Sequence, residues 1–203
     1  EADNKLELVL LATGMHLLQE FGETINEVRV EFPRVKIIDA TYETDDRLSM
    51  AKFIGKTAQG IVELLDQEKP EVVLVLGDRA EQLAMAVAAA YLAIPIIHLH
   101  GGEETTTVDN KARNAISQLA DWHLTASKGA AKKLRQMGID KHRIKIVGAP
   151  GLDQIKALPS SAKKDCLVVL QHPDAKEQDA AWQIRQTLEA VVEFKLPVKV
   201  IYP

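Results

Sequence analysis

Two apolar runs of strand length, 71–76 and 94–100, flank a small-residue helical stretch at 81–93. Both runs end on glycine followed by a carboxylate, the first at Gly77-Asp78-Arg79 and the second at Gly101-Gly102-Glu103-Glu104. Strand, helix and strand at this spacing make a βαβ unit, which obliges the two strands to lie parallel. Open parallel sheets bind ligands in the crevice beyond the carboxyl ends of their strands. Glycine at such an end allows backbone to come close to a ligand, and charged groups beside it can then act on it.

The alternation continues along the chain. Strand-length apolar runs are expected at 6–12, 35–39, 72–76, 94–99, 122–126, 144–147, 167–171 and 198–202. Most are continuous rather than alternating, which predicts burial on both faces. The stretch 49–68 predicts a helix with Met50, Phe53, Ile54, Thr57, Ile61, Leu64 and Leu65 on one stripe, ended by Lys69-Pro70. The helix at 81–93 is apolar on nearly every side and is expected in the core rather than at an interface. An α/β fold with largely parallel sheets follows.

The turn cluster Gly148-Ala149-Pro150-Gly151 and a polar stretch at 158–165 mark a change of unit. Residues 1–157 are expected to form one Rossmann-like domain, and residues 158–203 the beginning of a second, too short to build a core of its own. Glu1 is not an initiator methionine and almost directly precedes a strand, so both ends are expected to continue in a longer protein. The 203 residues are 46% hydrophobic and 27% charged, the balance of an ordinary folded domain. A net charge of −4 argues against nucleic acid or an anionic membrane as partner. The basic stretch 128–145 reads as a solvated helix face with its exit loop. Cys166 is the only cysteine, which excludes an intrachain disulfide and a cysteine-based zinc cluster. With no apolar run long enough to span a bilayer, a cytoplasmic setting is expected.

Several strand ends carry chemistry. Asp78 reads either as a helix-capping or first-turn acid or as a site residue. Arg79 opposes the helix dipole, so the pair suggests a site for anionic sugar or phosphate groups, while Glu81 reads as a surface acid. His98 and His100 are two apart and should point the same way from their strand. A buried structural histidine is the simpler reading of either one alone; the glycine pair after His100 favours a ligand loop there. Asp109 reads as an N-cap, and Arg113, one helical turn on, is as readily its local ion-pair partner as a functional residue. His172 ends a strand of the second segment, and His16 follows the first strand. No Gly-x-Gly-x-x-Gly, Walker loop or nucleophile elbow follows a strand, so a dinucleotide site is disfavoured.

Taken in order, Thr13-Gly14-Met15-His16-Leu17 with Glu20-Phe21-Gly22, Leu76-Gly77-Asp78-Arg79, the run from His98 to Glu103, the run from Asp109 to Arg113, Leu152-Asp153 and Leu170-Gln171-His172-Pro173 resemble the UDP-N-acetylglucosamine 2-epimerase family. The hydrolysing, N-acetylmannosamine-forming branch is the nearer match. The resemblance implies two Rossmann-like domains in a GT-B-like arrangement, with a UDP-sugar between them and neither metal nor NAD required. It implies removal of the C2 proton, loss of UDP from C1 to give a 2-acetamidoglucal, and addition of water. By position, Asp78, Asp109 and His172 match catalytic residues, with either His100 or Glu103 standing in for a family glutamate; Arg79, His98, Arg113 and His16 match the substrate-binding set. The family also implies a homodimer or homotetramer.

The pattern departs from relatives at His100, at Ala80 within Asp78-Arg79-Ala80-Glu81, and at Asn114. The family's first strand and the remainder of its nucleotide-binding domain have no counterpart in these residues, so an inactive fragment of an active enzyme is one expectation. A non-hydrolysing epimerase and a non-catalytic UDP-sugar-binding protein on the same scaffold are the alternatives.

Overall fold

The computed structural model describes residues 5–42, 44, 46–156, 166–173 and 179–201, with the side chains of residues 154 and 156 left out. The polar stretch at 158–165 lies outside the described residues. Strands β1 (Leu11–Ala12) and β2 (Lys36–Ile37) pair in parallel, with α1 (Ile25–Glu31) between them in sequence. Helix α2 (Arg47–Glu68) leads to a four-stranded parallel sheet of β3 (Val73–Leu76), β4 (Ile96–Leu99), β5 (Trp122–Thr125) and β6 (Ile144–Ile146), in that spatial order. The crossovers are α3 (Ala80–Tyr91), α4 (Asp109–Leu119) and α5 (Lys128–Gln136). After the short α6 (Asp153–Lys156), β7 (Leu167–Leu170), α7 (Ala180–Val192) and β8 (Val198–Ile201) form a separate two-stranded parallel sheet.

All eight expected strands are present, most of them shorter than their apolar runs. The run at 6–12 pairs only over Leu11–Ala12, and Leu6 and Leu8 stay exposed. Helix α2 begins two residues before the expected start because Asp46 caps it. The Asp46 carboxylate accepts from the Leu48 amide at 2.8 Å and the Ser49 amide at 3.0 Å. A hydrogen bond from the Thr44 hydroxyl, together with these amides, lowers the Asp46 pKa to about 2. Of the expected stripe, Phe53, Thr57, Ile61 and Leu65 are buried and Met50, Ile54 and Leu64 partly so.

Burial in the four-stranded sheet alternates, which corrects the expectation of two covered faces. Val73, Val75, Ile96, His98, His123 and Thr125 are buried, while Leu74, Leu76 and Trp122 are more than half exposed. Each strand from β3 to β6 lies next to its predecessor, moving in one direction across the sheet. Right-handed crossovers made in one direction put every connecting helix on the same face. Helix α3 is likewise not buried all round. Ala84, Ala86, Ala88 and Ala89 are buried, but Tyr91 is 89% exposed. The main core joins α2, α3, β3 and β4 through Phe53, Ile61, Val75, Ala86, Ile96 and their neighbours. In the second segment, Val169 is the only buried apolar residue among those described.

Candidate active site

The site is built where β3 and β4 stop. Beyond Leu76 the chain turns at Gly77 with φ +73°, a left-handed conformation that glycine adopts without a Cβ clash. Asp78 therefore leaves the strand direction, and α3 is entered one residue later, with Arg79 as the N-cap. The expectation that Asp78 caps or opens this helix is thus corrected. Its carboxylate instead forms an ion pair with the guanidinium of Arg113, thirty-five residues away.

Arg113 sits on the buried face of α4 and is only 6% exposed. Its Nη2 donates to Asp78, and its Nη1 donates to the Glu103 carbonyl at 3.0 Å. Asp109 accepts from the Thr107 hydroxyl at 2.7 Å and starts α4, with Val108 as the N-cap. The local Asp109–Arg113 pair that the spacing allows is not the one formed. A buried guanidinium needs several acceptors, and the ends of β3 and β4 supply them.

Arg79 is about half exposed. Its Nε donates to Glu81 at 2.7 Å, and its Nη2 reaches the Met15 sulfur at 3.4 Å. Burial opposes its charge, but Glu81 and the more distant Asp109 hold its pKa above the ordinary value. Glu81 is thus the partner of Arg79 rather than an independent surface acid. Met15 lies just past β1, in the turn of 3-10 helix Gly14–Leu17, so Arg79 bridges two strand ends. His16, in the same turn, is exposed, and its Nδ1 lies 2.7 Å from the Thr24 hydroxyl.

Only one of the two histidines lies within β4. Leu99 is the last strand residue, and His100 adopts φ +64°, which ends the alternation. His100 stays half-buried, with its backbone amide on the Leu124 carbonyl at 2.9 Å. His98 is wholly buried. Its Nε2 donates to the Gly77 carbonyl at 2.8 Å, and its Nδ1 lies 3.1 Å from the Ser117 hydroxyl. Burial lowers its pKa, partly offset by the Gly77 bond. Both ring nitrogens of His98 are thus engaged within the protein, and its side chain has no exposed surface.

The glycine pair has a packing reason of its own. Gly101 and Gly102 are both buried. A Cβ on Gly101 would lie 2.7 Å from the His98 Nδ1, and one on Gly102 would lie 2.3 Å from the Ala130 carbonyl oxygen. The glycines let the loop pack onto α4 and α5. Glu103 follows, half-buried, with the Ser127 hydroxyl 3.5 Å from its carboxylate.

Asp78, Arg113 and the Glu103 backbone are thus in direct contact, and Arg79 and Asp109 interact electrostatically beside them. His172 lies exposed just past β7, in the other sheet. Sequence reasoning missed Ser117 and Met15. Ser117 could have been found from its place four residues after Arg113 on the apolar face of the same helix. Among the described residues, no three His, Cys, Asp or Glu side chains are grouped to hold a metal ion.

A family model described as UDP-N-acetylglucosamine 2-epimerase matches residues 1–203. A hydrolysing UDP-N,N'-diacetylbacillosamine 2-epimerase of Legionella pneumophila is 38% identical over 213 aligned residues, covering 98% of this chain and 56% of that protein. A hydrolysing GDP/UDP-N,N'-diacetylbacillosamine 2-epimerase of Campylobacter jejuni is 34% identical, covering 80% of this chain and 43% of that protein. The crystal structure of a Neisseria meningitidis UDP-GlcNAc 2-epimerase bound to UDP-GlcNAc shares the fold. The TM-score is 0.62 at 18% identity, covering 99% of this chain and 65% of that one. The chain spans about half the length of the curated relatives it matches.

Proposed function

The chain belongs to the UDP-N-acetylglucosamine 2-epimerase family, and from that premise we propose that its protein is a hydrolysing 2-epimerase. The substrate is a UDP-linked 2-acetamido sugar, UDP-N-acetylglucosamine or a close relative. The products are UDP and the free sugar inverted at C2, N-acetylmannosamine in the simplest case, a precursor of sialic-acid-type sugars. The observation that carries this reading is the convergence of Asp78 and Arg113 at the carboxyl ends of β3 and β4, with Glu103 and His100 on the adjoining loop.

In the first step, a base takes the proton from C2. The C2–H electron pair becomes the C1–C2 double bond of a 2-acetamidoglucal, and UDP departs with the C1–O pair. In the second, water adds its hydroxyl to C1, while an acid returns a proton to C2 on the opposite face. Asp78, Asp109 and either His100 or Glu103 are the acids and bases of this scheme. Arg79 and Arg113 oppose the charge gathering on the departing pyrophosphate. His16 is assigned to substrate binding, and His172 acts from the second segment.

Residues 1–157 make up the first Rossmann-like domain in this reading, and residues 158–203 open the nucleotide-binding one. The separate β7–β8 sheet supports that division. A cytoplasmic homodimer or homotetramer fits a nucleotide-sugar enzyme, and among the described residues no helix is long and apolar enough to cross a membrane.

The test is turnover by the full-length protein of UDP-N-acetylglucosamine and UDP-N,N'-diacetylbacillosamine in deuterated water, followed by NMR. Free UDP and a C2-deuterated manno sugar are expected. Return of an epimerised UDP-sugar without free UDP overturns the hydrolytic assignment, and binding without turnover overturns the enzyme.

A further inference from the structure

Three contacts and the backbone between them close a ring around the end of β3. Asp78 pairs with Arg113 on α4. Ser117 lies one helical turn beyond Arg113 on the same buried face, with its hydroxyl 3.1 Å from the His98 Nδ1. The His98 Nε2 reaches the Gly77 carbonyl at 2.8 Å, and Gly77 is bonded directly to Asp78. His98 is thus the strut between the two backbone segments that carry the pair. We propose that His98 is a positioning residue for the Asp78–Arg113 pair, setting the carboxylate's location by holding the Gly77 carbonyl against helix α4. The inference rests on the proposed epimerase reading for its kinetic consequences, but not for its structural ones.

The hydrogen bonds fix the tautomer. A carbonyl only accepts, so Nε2 carries the proton; in the neutral ring Nδ1 then accepts from the Ser117 hydroxyl. The ring is also held sideways. Gly101 leaves no room for a Cβ beside Nδ1, and the ring of His123, its cross-strand neighbour, packs edge-on with centroids 6.4 Å apart. A strut of this kind matters because misplacement of a catalytic group by about 1 Å can lower turnover about 100-fold.

Two substitutions separate the strut from simple packing. The glutamine amide nitrogen falls near the imidazole Nε2, whereas the asparagine amide falls near Nδ1. His98→Gln therefore keeps a donor for the Gly77 carbonyl, and His98→Asn keeps only the Ser117 contact. In the full-length protein, His98→Asn is expected to lower kcat about 10- to 100-fold with KM changed less than about threefold. His98→Gln should restore kcat to within about fivefold of the parent. Crystal structures should show the Asp78–Arg113 contact kept with glutamine and lost with asparagine. Equal kcat for the two variants, or an intact contact in His98→Asn, overturns the proposal. If His98→Asn does not fold, Ser117→Ala, which cuts the helix end of the strut, replaces it: reduced kcat supports the strut, and parental kcat overturns it. If the parent protein turns over no UDP-sugar, the epimerase reading fails, and the crystallographic contact alone then decides the role of His98.

Discussion

Arg113 forms its ion pair with Asp78, thirty-five residues before it, and not with Asp109, one helical turn away. The guanidinium is nearly buried, while Asp109 is engaged by Thr107 at the start of the helix. The pair joins the end of β3 to α4 at the edge where ligands of such sheets bind.

Removal of one partner should therefore be costly. Arg113→Met leaves the Asp78 carboxylate partly buried without its cation and should destabilise the protein by about 3 kcal/mol, the low end for buried pairs. The 21% exposure of the Asp78 side chain sets that limit. A urea double-mutant cycle with Asp78→Asn is expected to return a coupling of about 1–3 kcal/mol. A coupling near zero would mean that the two groups are not paired in solution.

Two glycine-to-alanine changes should have opposite signs. Gly102→Ala places a Cβ 2.3 Å from the Ala130 carbonyl oxygen at φ +84° and should destabilise by about 2–4 kcal/mol. Gly55→Ala, within α2 and with nothing within 4 Å of its Cβ, should stabilise by about 0.5–1 kcal/mol. A denaturation midpoint that stays unchanged or rises in Gly102→Ala would refute the packing assigned to that loop, and a fall in Gly55→Ala would refute the open space beside that glycine.

His123 gives a stability that depends on pH. Its ring is buried with neither nitrogen hydrogen-bonded, and burial, reinforced by His98 and Arg143 and opposed by Asp121, lowers its pKa to about 4. The unfolded chain then binds the extra proton between pH 6.5 and about 4, so this contribution to stability falls as pH drops through that window. It levels off below the folded value. His123→Leu should flatten the slope of stability between pH 6.5 and 4.5 without loss at pH 5, because it removes two unpaired buried nitrogens. An unchanged slope would assign the pH dependence to other groups.

Chemistry at the site predicts a different signature. In the full-length protein, Asp78→Asn and Asp109→Asn should each lower kcat about 100- to 10,000-fold, the usual contribution of a general acid or base, while UDP binding persists. Calorimetry with UDP beside turnover of the UDP-sugar separates the two effects. Parental turnover in either variant removes that aspartate from the acid–base set.

The sequence alone determined the order of elements and the edge on which the site lies. Apolar runs spaced by helical patterns require parallel strands with connecting helices, and parallel strands put every Gly-Asp and Gly-Glu terminus on one edge. That inference uses only local periodicity and the geometry of crossovers, so it survives without tertiary information. The tertiary structure decided the partners. Whether Arg113 meets Asp109 or Asp78, and what His98 and the Gly101-Gly102 pair pack against, depend on which side chains packing brings together across the sheet. Spacing along one helix or strand offers only neighbours three or four residues away. Burial favours pairings that give hidden donors acceptors, and for the Arg113 Nη1 and Nη2 these came from outside its own helix.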